Sequence, residues 1–380
     1  IKAETESHLD VGDPANDALR VNAAEVHAKA IGEGANLGIT QAARVAYSLG
    51  GGRINTDFID NSAGVDCSDN EVNIKIALAA ATRDGSLTET KRNNLLAKMT
   101  DEVAQIVLED NRLQALALSI AEAGGPDATA SFIRLIEQLE EMDALDRRTE
   151  GLADGETYVR RAADGTGLTR PVLAVLLSSA KLALQDAIEA SGLPDDPMLV
   201  SNLTAMFPEP MQKTYEAQIL DHRLRRELVA TDLSNRIVNR IGLVHAFELP
   251  EEEGVGLADV AAAFIVVERL FDLKTLWHDI DNHKMSENAR LFLLDRLAAA
   301  VGNLMSDVLR TAAGRVEASA MIAELGDGVA VLSKARGDLV SGETRERSAA
   351  LRAEFVGQGA PDALANRVAA LFDYDGSIGL

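Results

Sequence analysis

The sequence lacks the features that mark several common protein classes. Its 380 residues include one cysteine, Cys67, which excludes an internal disulfide and any zinc site built from cysteines. We expect Cys67 to be a small buried residue rather than a nucleophile, because no histidine lies near it in the sequence. The scarcity of cysteine is typical of a reducing compartment, so we predict a cytoplasmic location. No uninterrupted apolar run approaches the ~20 residues of a membrane-spanning helix, and no membrane partner is expected.

Positive charge is also scarce. Sixty acidic residues stand against 37 basic ones, which gives a formal net charge of −23. Such a field repels phosphate backbones, so we expect no nucleic-acid partner. Residues 278–283 contain metal-ligating residue types, but helical spacing scatters them around the axis, and we predict no metal site. Aromatic residues make up only 4% and hydrophobic residues 47%, a balance typical of helical proteins rich in alanine and leucine.

Two kinds of pattern follow each other along the chain. Up to about residue 80, predicted strands at 26–31 and 53–59 flank a predicted helix at 39–49, which is an α/β pattern. From Ser68 onward the apolar residues repeat with helical spacing almost everywhere. Ser68 itself is predicted to open a helix, with Glu71 completing a capping box. The charged, glycine-containing stretch 143–167 is predicted to be a loop or a poorly packed connection.

Two loops in the α/β part are rich in small residues, amides and acids. Gly32-x-Gly34-x-x-x-Gly38 follows a predicted strand and precedes a helix, where a dinucleotide-binding fingerprint would lie. Asp57 and Asp60 come roughly where an acid that binds ribose is expected. The third glycine is one position late, however, so a tight strand-to-helix turn with another purpose is the alternative.

Taken together, the two loops resemble the large NAD-specific glutamate dehydrogenases of bacteria. The matching segments are Gly12-Asp13-Pro14-Ala15-Asn16-Asp17, Glu33-Gly34-Ala35-Asn36-Leu37-Gly38-x-Thr40-Gln41, Gly51-Gly52-Arg53-Ile54-Asn55-Thr56-Asp57 and Asp60-Asn61-Ser62-Ala63-Gly64-Val65-Asp66-x-Ser68-Asp69-x-Glu71-Val72-Asn73. The resemblance implies a mainly α fold. Residues 1–80 would be the C-terminal part of a Rossmann-like, NAD-binding catalytic domain. Residues 81–380 would form a large all-helical domain, with a possible internal boundary near 143–167.

The resemblance also implies roles for particular residues. The cofactor-binding residues would be Gly34, Ala35, Asn36 and Asn61, with Asn36 near the nicotinamide ribose and amide. The substrate-binding residues would be Asn61 and Ser68, and the Ser68 hydroxyl would hydrogen-bond the side-chain carboxylate of glutamate. The sequence departs from the smaller glutamate dehydrogenases by placing Ser62-Ala63 before Gly64, which alters the backbone path around Asn61. The alternative for these residues is loop and helix capping.

The implied reaction is the oxidative deamination of L-glutamate to 2-oxoglutarate and ammonia with reduction of NAD. The family's phosphate-binding loop, lysine and aspartate are expected upstream of Ile1, so we assign no catalytic residue here and expect this fragment to be inactive alone. A homo-oligomer of the full-length enzyme is expected. The alternative is a helical regulatory or oligomerisation module of that enzyme, without a direct contribution to the site.

Overall fold

The computed structural model describes residues 1–34, 36–312 and 314–376, and it confirms the predicted mainly α fold. The helices are α1 His8–Val11, α2 Gln41–Leu49, α3 Asp57–Asp60, α4 Ser62–Arg83, α5 Glu89–Ala123, α6 Thr129–Glu141, α7 Gly155–Ala163, α8 Arg170–Ala190, α9 Val200–Ala205, α10 Glu209–Gln212, α11 Glu216–Leu220, α12 Arg225–Glu253, α13 Leu257–Leu270, α14 Leu273–Asn282, α15 Glu287–Ala312, α16 Ala318–Leu339, α17 Gly342–Gly357 and α18 Asp362–Leu371. Short 3₁₀ turns occupy Pro14–Leu19, Ala23–Glu25, Gly125–Ala128, Leu193–Asp195, Pro197–Leu199 and Phe372–Tyr374.

The α/β part reduces to one small parallel pair. Strands β1 (Ala30–Ile31) and β2 (Arg53–Ile54) pair in parallel, with Ala30 opposite Arg53. Helix α2 lies between them in the chain and connects them. The strands are shorter than predicted, because α3 takes over the second half of the segment 53–59. The connection is a βαβ unit. Its membership in a Rossmann-like sheet stays a prediction.

A small apolar core holds this unit together. Ile39, Ala43, Tyr47 and Ile54 are buried against one another, and Ala23 completes the cluster. The Tyr47 hydroxyl donates a hydrogen bond of 2.6 Å to the Ala28 carbonyl. Helix α2 ends, as predicted, before its run of three glycines. A Cβ on the third, Gly52, would lie 2.2 Å from the Tyr47 ring, so the close approach of the chain requires glycine.

The start of α4 differs from the prediction. The helix begins at Ser62, so Ser68 lies inside it and the predicted capping box with Glu71 is wrong. The physical reason is that no strong helix breaker separates Asn61 from Ser68. Asn61 is the C-cap residue of α3 and the N-cap residue of α4, so the second helix follows the first directly. A single glycine, Gly64, is tolerated within a helix at a cost of ~1 kcal/mol. Helix α4 then packs along α5.

The predicted loop at 143–167 is only partly a loop. Helix α7 forms inside it, because the Asp154 carboxylate accepts a hydrogen bond of 2.7 Å from the Thr157 backbone N–H at the helix start. Tyr158 anchors the helix: its ring is buried and its hydroxyl accepts a 3.1 Å hydrogen bond from the Ala153 N–H. Of the charged residues that suggested a loop, only Glu156, Arg160 and Arg161 belong to this short helix, and most of the others lie in the turns before it.

The chain forms two compact units. The first consists of residues 1–183 and 203–225 and contains the βαβ unit, α4 and α5. The second consists of residues 184–202 and 226–380, where α13 packs against α15 and α16. Within the described residues one helix, Arg170–Ala190, is long and apolar enough to cross a membrane, and most of it is buried as in a core helix. The functional division at residue 80 stays a prediction.

Candidate functional site

Two of the predicted site residues touch each other. The loops that contain Asn36 and Asn61 follow β1 and β2, and the carboxyl ends of parallel strands meet at the same edge of a sheet. The Asn61 side-chain amide donates a hydrogen bond to the Asn36 side-chain carbonyl. Asn36 is exposed and Asn61 is partly buried, so the pair sits at the surface of the first unit.

Ser68 lies on the same side of α4 as Asn61. Seven residues are almost two full turns, so the two side chains share a helix face about 10 Å apart along the axis. Val65 and Val72 belong to the same stripe, and their side chains are 63% and 48% exposed. Leu37, beside Asn36, is 87% exposed. We call the surface formed by these side chains the α4 face; it consists of Asn36, Leu37, Asn61, Val65, Ser68 and Val72.

The turn that carries Asn36 is strained. Leu37 has a φ of 61°, a left-handed conformation that costs a leucine ~1–2 kcal/mol. Its backbone N–H donates a 3.0 Å hydrogen bond to Oδ2 of Asp57, which holds the turn in this shape. Gly34 is exposed at the start of the turn. The predicted cofactor-binding residue Ala35 lies outside the described residues.

A buried ion cluster supports the turn from below. Oε2 of Glu33 accepts hydrogen bonds from Nε and Nη2 of Arg44, at 3.0 and 2.8 Å. The same Nη2 lies 3.1 Å from Oδ1 of Asp57. All three side chains are at least nine-tenths buried. Sequence reasoning missed this cluster, although an arginine between the core alanine and tyrosine of an amphipathic helix could have signalled a buried partner.

The acids proposed for ribose binding have partners inside the chain. Oδ2 of Asp60 accepts a 2.8 Å hydrogen bond from the Glu33 N–H, and its Oδ1 accepts one of 2.6 Å from the Asn55 side chain. The Asp57 carboxylate is likewise engaged by Arg44 and Leu37. Both acids therefore fix the backbone, which favours the alternative of a tight strand-to-helix turn.

Helices α5 and α8 hold the second loop. The Asn111 side-chain amide donates to the Ile59 carbonyl at 3.2 Å and to the Ser62 hydroxyl at 2.8 Å, on either side of Asn61. The Arg170 guanidinium donates to the Asn55 side chain and, at 2.9 Å, to the Ala115 carbonyl. These residues were not singled out from the sequence, because their partners lie 49 or more positions away along the chain.

The other side of α4 carries a polar seam. Asp66 faces α5, where its carboxyl hydrogen-bonds Asp110, and burial together with the nearby Asp69 raises its pKa. Lys181 of α8 donates a 3.2 Å hydrogen bond to Gln114. Burial lowers the pKa of Lys181 to about 8, and the attraction of Asp110 opposes that shift. Cys67, on the same helix, is exposed; the expectation that it would be buried is wrong, because the buried part of α4 begins only at Ile74, about two turns further along.

The predicted residues do not line a described cavity. A cavity of about 1040 Å³ lies along α2, next to residues 3–5 and 151–153, and its walls include none of Asn36, Asn61 and Ser68. A second cavity, of about 390 Å³, lies in the other unit beside His245 and Arg310. Among the described residues, no cluster of histidine, cysteine and acidic side chains is arranged to hold a metal ion. The α4 face is therefore an open wall rather than a pocket.

Comparison with known proteins places this chain in a family. The family described as glutamate dehydrogenase, C-terminal, matches residues 165–379, which is more than half of the chain. The bacterial NAD-glutamate dehydrogenase catalytic domain matches residues 1–121, the part that contains the α4 face. The chain belongs to the bacterial NAD-specific glutamate dehydrogenase family. The recognition made from the two loops is thus confirmed.

Relatives from three bacteria cover almost all of this chain. Proteins named NAD-specific glutamate dehydrogenase are 40% identical over 371 residues in Pseudomonas aeruginosa, 37% over 382 in Halomonas elongata and 38% over 372 in Mycobacterium tuberculosis. These alignments include 97%, 100% and 97% of this chain. The chain spans only 23%, 24% and 23% of the relatives' own lengths, so it corresponds to a part of each of these glutamate dehydrogenases.

Proposed function

We propose that this chain supplies one wall of the active site of an NAD-dependent glutamate dehydrogenase that oxidatively deaminates L-glutamate to 2-oxoglutarate and ammonia. The observation that carries the proposal is the hydrogen bond between Asn36 and Asn61, with Ser68 on the same open helix face. The names of the relatives supply the reaction.

The residues of the α4 face fit a nicotinamide group. Two carboxamide side chains, Asn36 and Asn61, offer both donors and acceptors, which a nicotinamide amide and a ribose hydroxyl need. The exposed side chains of Leu37 and Val65 offer apolar surface for the ring. When bound, NAD supplies the oxidising equivalent for the reaction, and these side chains would orient it. Gly34 and Ala35 complete the proposed cofactor contacts.

Ser68 is proposed to recognise the side-chain carboxylate of glutamate. Its side chain is exposed on α4, and a hydroxyl can donate to a carboxylate. The structure removes the helix-capping alternative for this residue, because α4 begins six positions earlier. Asn61, closer to the cofactor, would contact the amino-acid head group as well as the nicotinamide.

The α4 face orients ligands but moves no protons. None of its six residues, Asn36, Leu37, Asn61, Val65, Ser68 and Val72, has a side chain that titrates near neutral pH. General acid–base catalysis needs such a group within hydrogen-bond reach of the reacting atoms. We therefore assign no catalytic residue to this face and propose that the chain alone is inactive.

A regulatory or oligomerisation module is the second candidate function. The exposed valines of α4 favour it, since apolar side chains on an open helix face can also serve association with another protein surface. In that case the asparagine pair would only shape the turn. The homo-oligomer of the full-length enzyme and its cytoplasmic location stay predictions.

The deciding experiment is the steady-state kinetics of the full-length enzyme with Ser68→Ala. Loss of one hydrogen bond to a charged group, ~1.5–3 kcal/mol, should raise the KM for glutamate roughly 10- to 100-fold and leave that for NAD unchanged. Thr82→Ala is the matched control, because it removes a hydroxyl from the same helix about 21 Å away along the axis. Unchanged glutamate kinetics in Ser68→Ala would favour the second candidate.

A further inference from the structure

We propose that Arg44 is a positioning residue that sets Asn36 against Asn61. It does so by joining the carboxylate of Glu33, inside the first loop, to that of Asp57, at the start of the second. The inference rests on the proposed function of the α4 face. Arg44 itself lies beneath that face and would touch neither NAD nor glutamate.

On one side, Glu33 shapes the turn that carries Asn36. Its Oε1 accepts hydrogen bonds from the backbone N–H groups of Gly38 and Ile39, at 2.8 and 3.2 Å. Its Oε2 is taken by two donors of Arg44. Both carboxylate oxygens are thereby saturated, and the position of the turn depends on where Arg44 holds this carboxylate.

On the other side, Asp57 holds the same turn from the second loop. Its Oδ2 accepts the Leu37 N–H, the residue next to Asn36, while its Oδ1 meets Nη2 of Arg44 at 3.1 Å. Asn61 follows on the next turn of helix and its backbone N–H donates to the Asp57 carbonyl at 2.9 Å. Asp57 is thus bonded directly to the neighbour of Asn36 and to Asn61 itself.

The chemistry of this bridge calls for arginine. A guanidinium is a planar fork of five donors that can serve two carboxylates at once, whereas an ammonium is a compact point charge with a different geometry. The remaining nitrogen, Nη1, reaches the Gln41 side chain at 3.5 Å, and Gln41 in turn donates to the Pro171 carbonyl at 3.0 Å. Arg44 is therefore fixed on three sides.

Stability alone is a poor explanation for the cluster. Two buried carboxylates and one guanidinium carry a net negative charge, and apolar residues of similar volume are often as stable as a buried ion pair. The neighbouring core of Ile39, Ala43, Tyr47 and Ile54 already holds the βαβ unit together. What the ion cluster adds is a fixed, strained turn at Leu37, directly beside the asparagine pair.

The test compares Arg44→Lys with Asp57→Asn in the full-length enzyme. Both variants weaken the bridge while keeping similar volume, and in Asp57→Asn the amide oxygen can still accept from Leu37. We expect each to raise the KM for NAD about 10-fold and to lower kcat about 10-fold. The KM for glutamate should rise less, about threefold, because Asn61 is displaced from the amino-acid head group while Ser68 lies on α4 beyond the bridge. If Arg44→Lys does not fold, Asp57→Asn carries the test.

Arg236→Lys provides the matched control. Arg236 bridges Asp232 and the buried Glu268 in the second unit, so its replacement breaks a comparable cluster. It should lower the melting temperature as Arg44→Lys does and leave the kinetic constants unchanged.

The inference is overturned if both Arg44→Lys and Asp57→Asn keep normal NAD kinetics while Ser68→Ala still raises the KM for glutamate. An equal rise of both KM values in the two variants would also overturn it, as would unchanged kinetics in every variant, which removes the proposed function as well.

Discussion

The side-chain amide of Asn61 donates a hydrogen bond to the side-chain carbonyl of Asn36, across 25 positions of the chain. Asn61 is the residue at which α3 ends and α4 begins, and its side chain makes no capping bond to the helix. The side-chain amide of Asn61 therefore does not cap α4 and instead makes a contact between the two loops. The two asparagines form one unit, and a ligand on the α4 face would meet them together.

This unit predicts a non-additive double mutant. Asn36→Ala and Asn61→Ala should each lower kcat/KM of the full-length enzyme about 10-fold, because each removes a proposed ligand contact and leaves the other asparagine without its hydrogen bond. The double variant should lose little more than either single one, with a coupling energy of ~1 kcal/mol, as is usual for residues in direct contact. Steady-state kinetics of the four proteins give this value. Fully multiplicative losses would mean that the asparagines act independently.

A substitution at Gly64 can separate an effect on stability from an effect on ligand binding. Gly64 lies within α4 between Asn61 and Ser68, and a Cβ added there would meet nothing within 4 Å in this chain. Because glycine costs a helix ~1 kcal/mol relative to alanine, Gly64→Ala should raise the melting temperature. If a ligand approaches the α4 face closely, the same variant should lower kcat/KM at least ~10-fold, ~1.4 kcal/mol of transition-state binding.

The control for this prediction is Gly328→Ala in α16 of the second unit, a helical glycine whose added Cβ also meets nothing within 4 Å. It should stabilise the protein similarly and leave activity unchanged. Gly64→Ala with full activity would show that the α4 face keeps its distance from the ligand, and the proposed wall would need another location.

The sequence predicts those elements whose determinants are local. Helical spacing and a glycine stop predict the helix at 39–49, and α2 is observed at Gln41–Leu49. The start of α4 was missed because Ser68 and Glu71 form a plausible local capping box, while the true start at Ser62 depends on α3 and on Asn111 from α5. Tertiary contacts there override a local signal.

The site shows the same division. Asn36 and Asn61 could be proposed from the sequence because the loops that contain them resemble those of the glutamate dehydrogenases. The cluster of Glu33, Arg44 and Asp57 could not, since each member lies on a different element and only the parallel pairing of β1 and β2 brings them together. An arginine is almost never fully buried unless it is paired with acidic groups. Which acids pair with Arg44 is visible only in the folded structure.

The buried amine of Lys181 makes stability depend on pH. Burial lowers its pKa from 10.5 to about 8, so between these values the unfolded chain binds more protons than the folded one. The free energy of unfolding therefore rises with pH across this window, by at most ~3 kcal/mol. Below the lowered pKa the folded state must bury a charged ammonium, whose attraction to Asp110 offsets only part of the cost of burial.

Lys181→Met removes this titration while keeping a side chain of similar length. Relative to Lys181→Met, the wild-type protein should gain stability as the pH rises from about 8 to 10.5, and the difference should level off at either end. Melting temperatures of both proteins at half-unit pH steps measure this stability difference. Because both proteins contain the same other titrating groups, the contributions of those groups cancel. Lys91→Met, at an exposed position near the start of α5, should show no such trend. A flat difference for Lys181→Met would mean that water reaches the amine, and that α8 packs against α5 more loosely at this point than the hydrogen bond to Gln114 indicates.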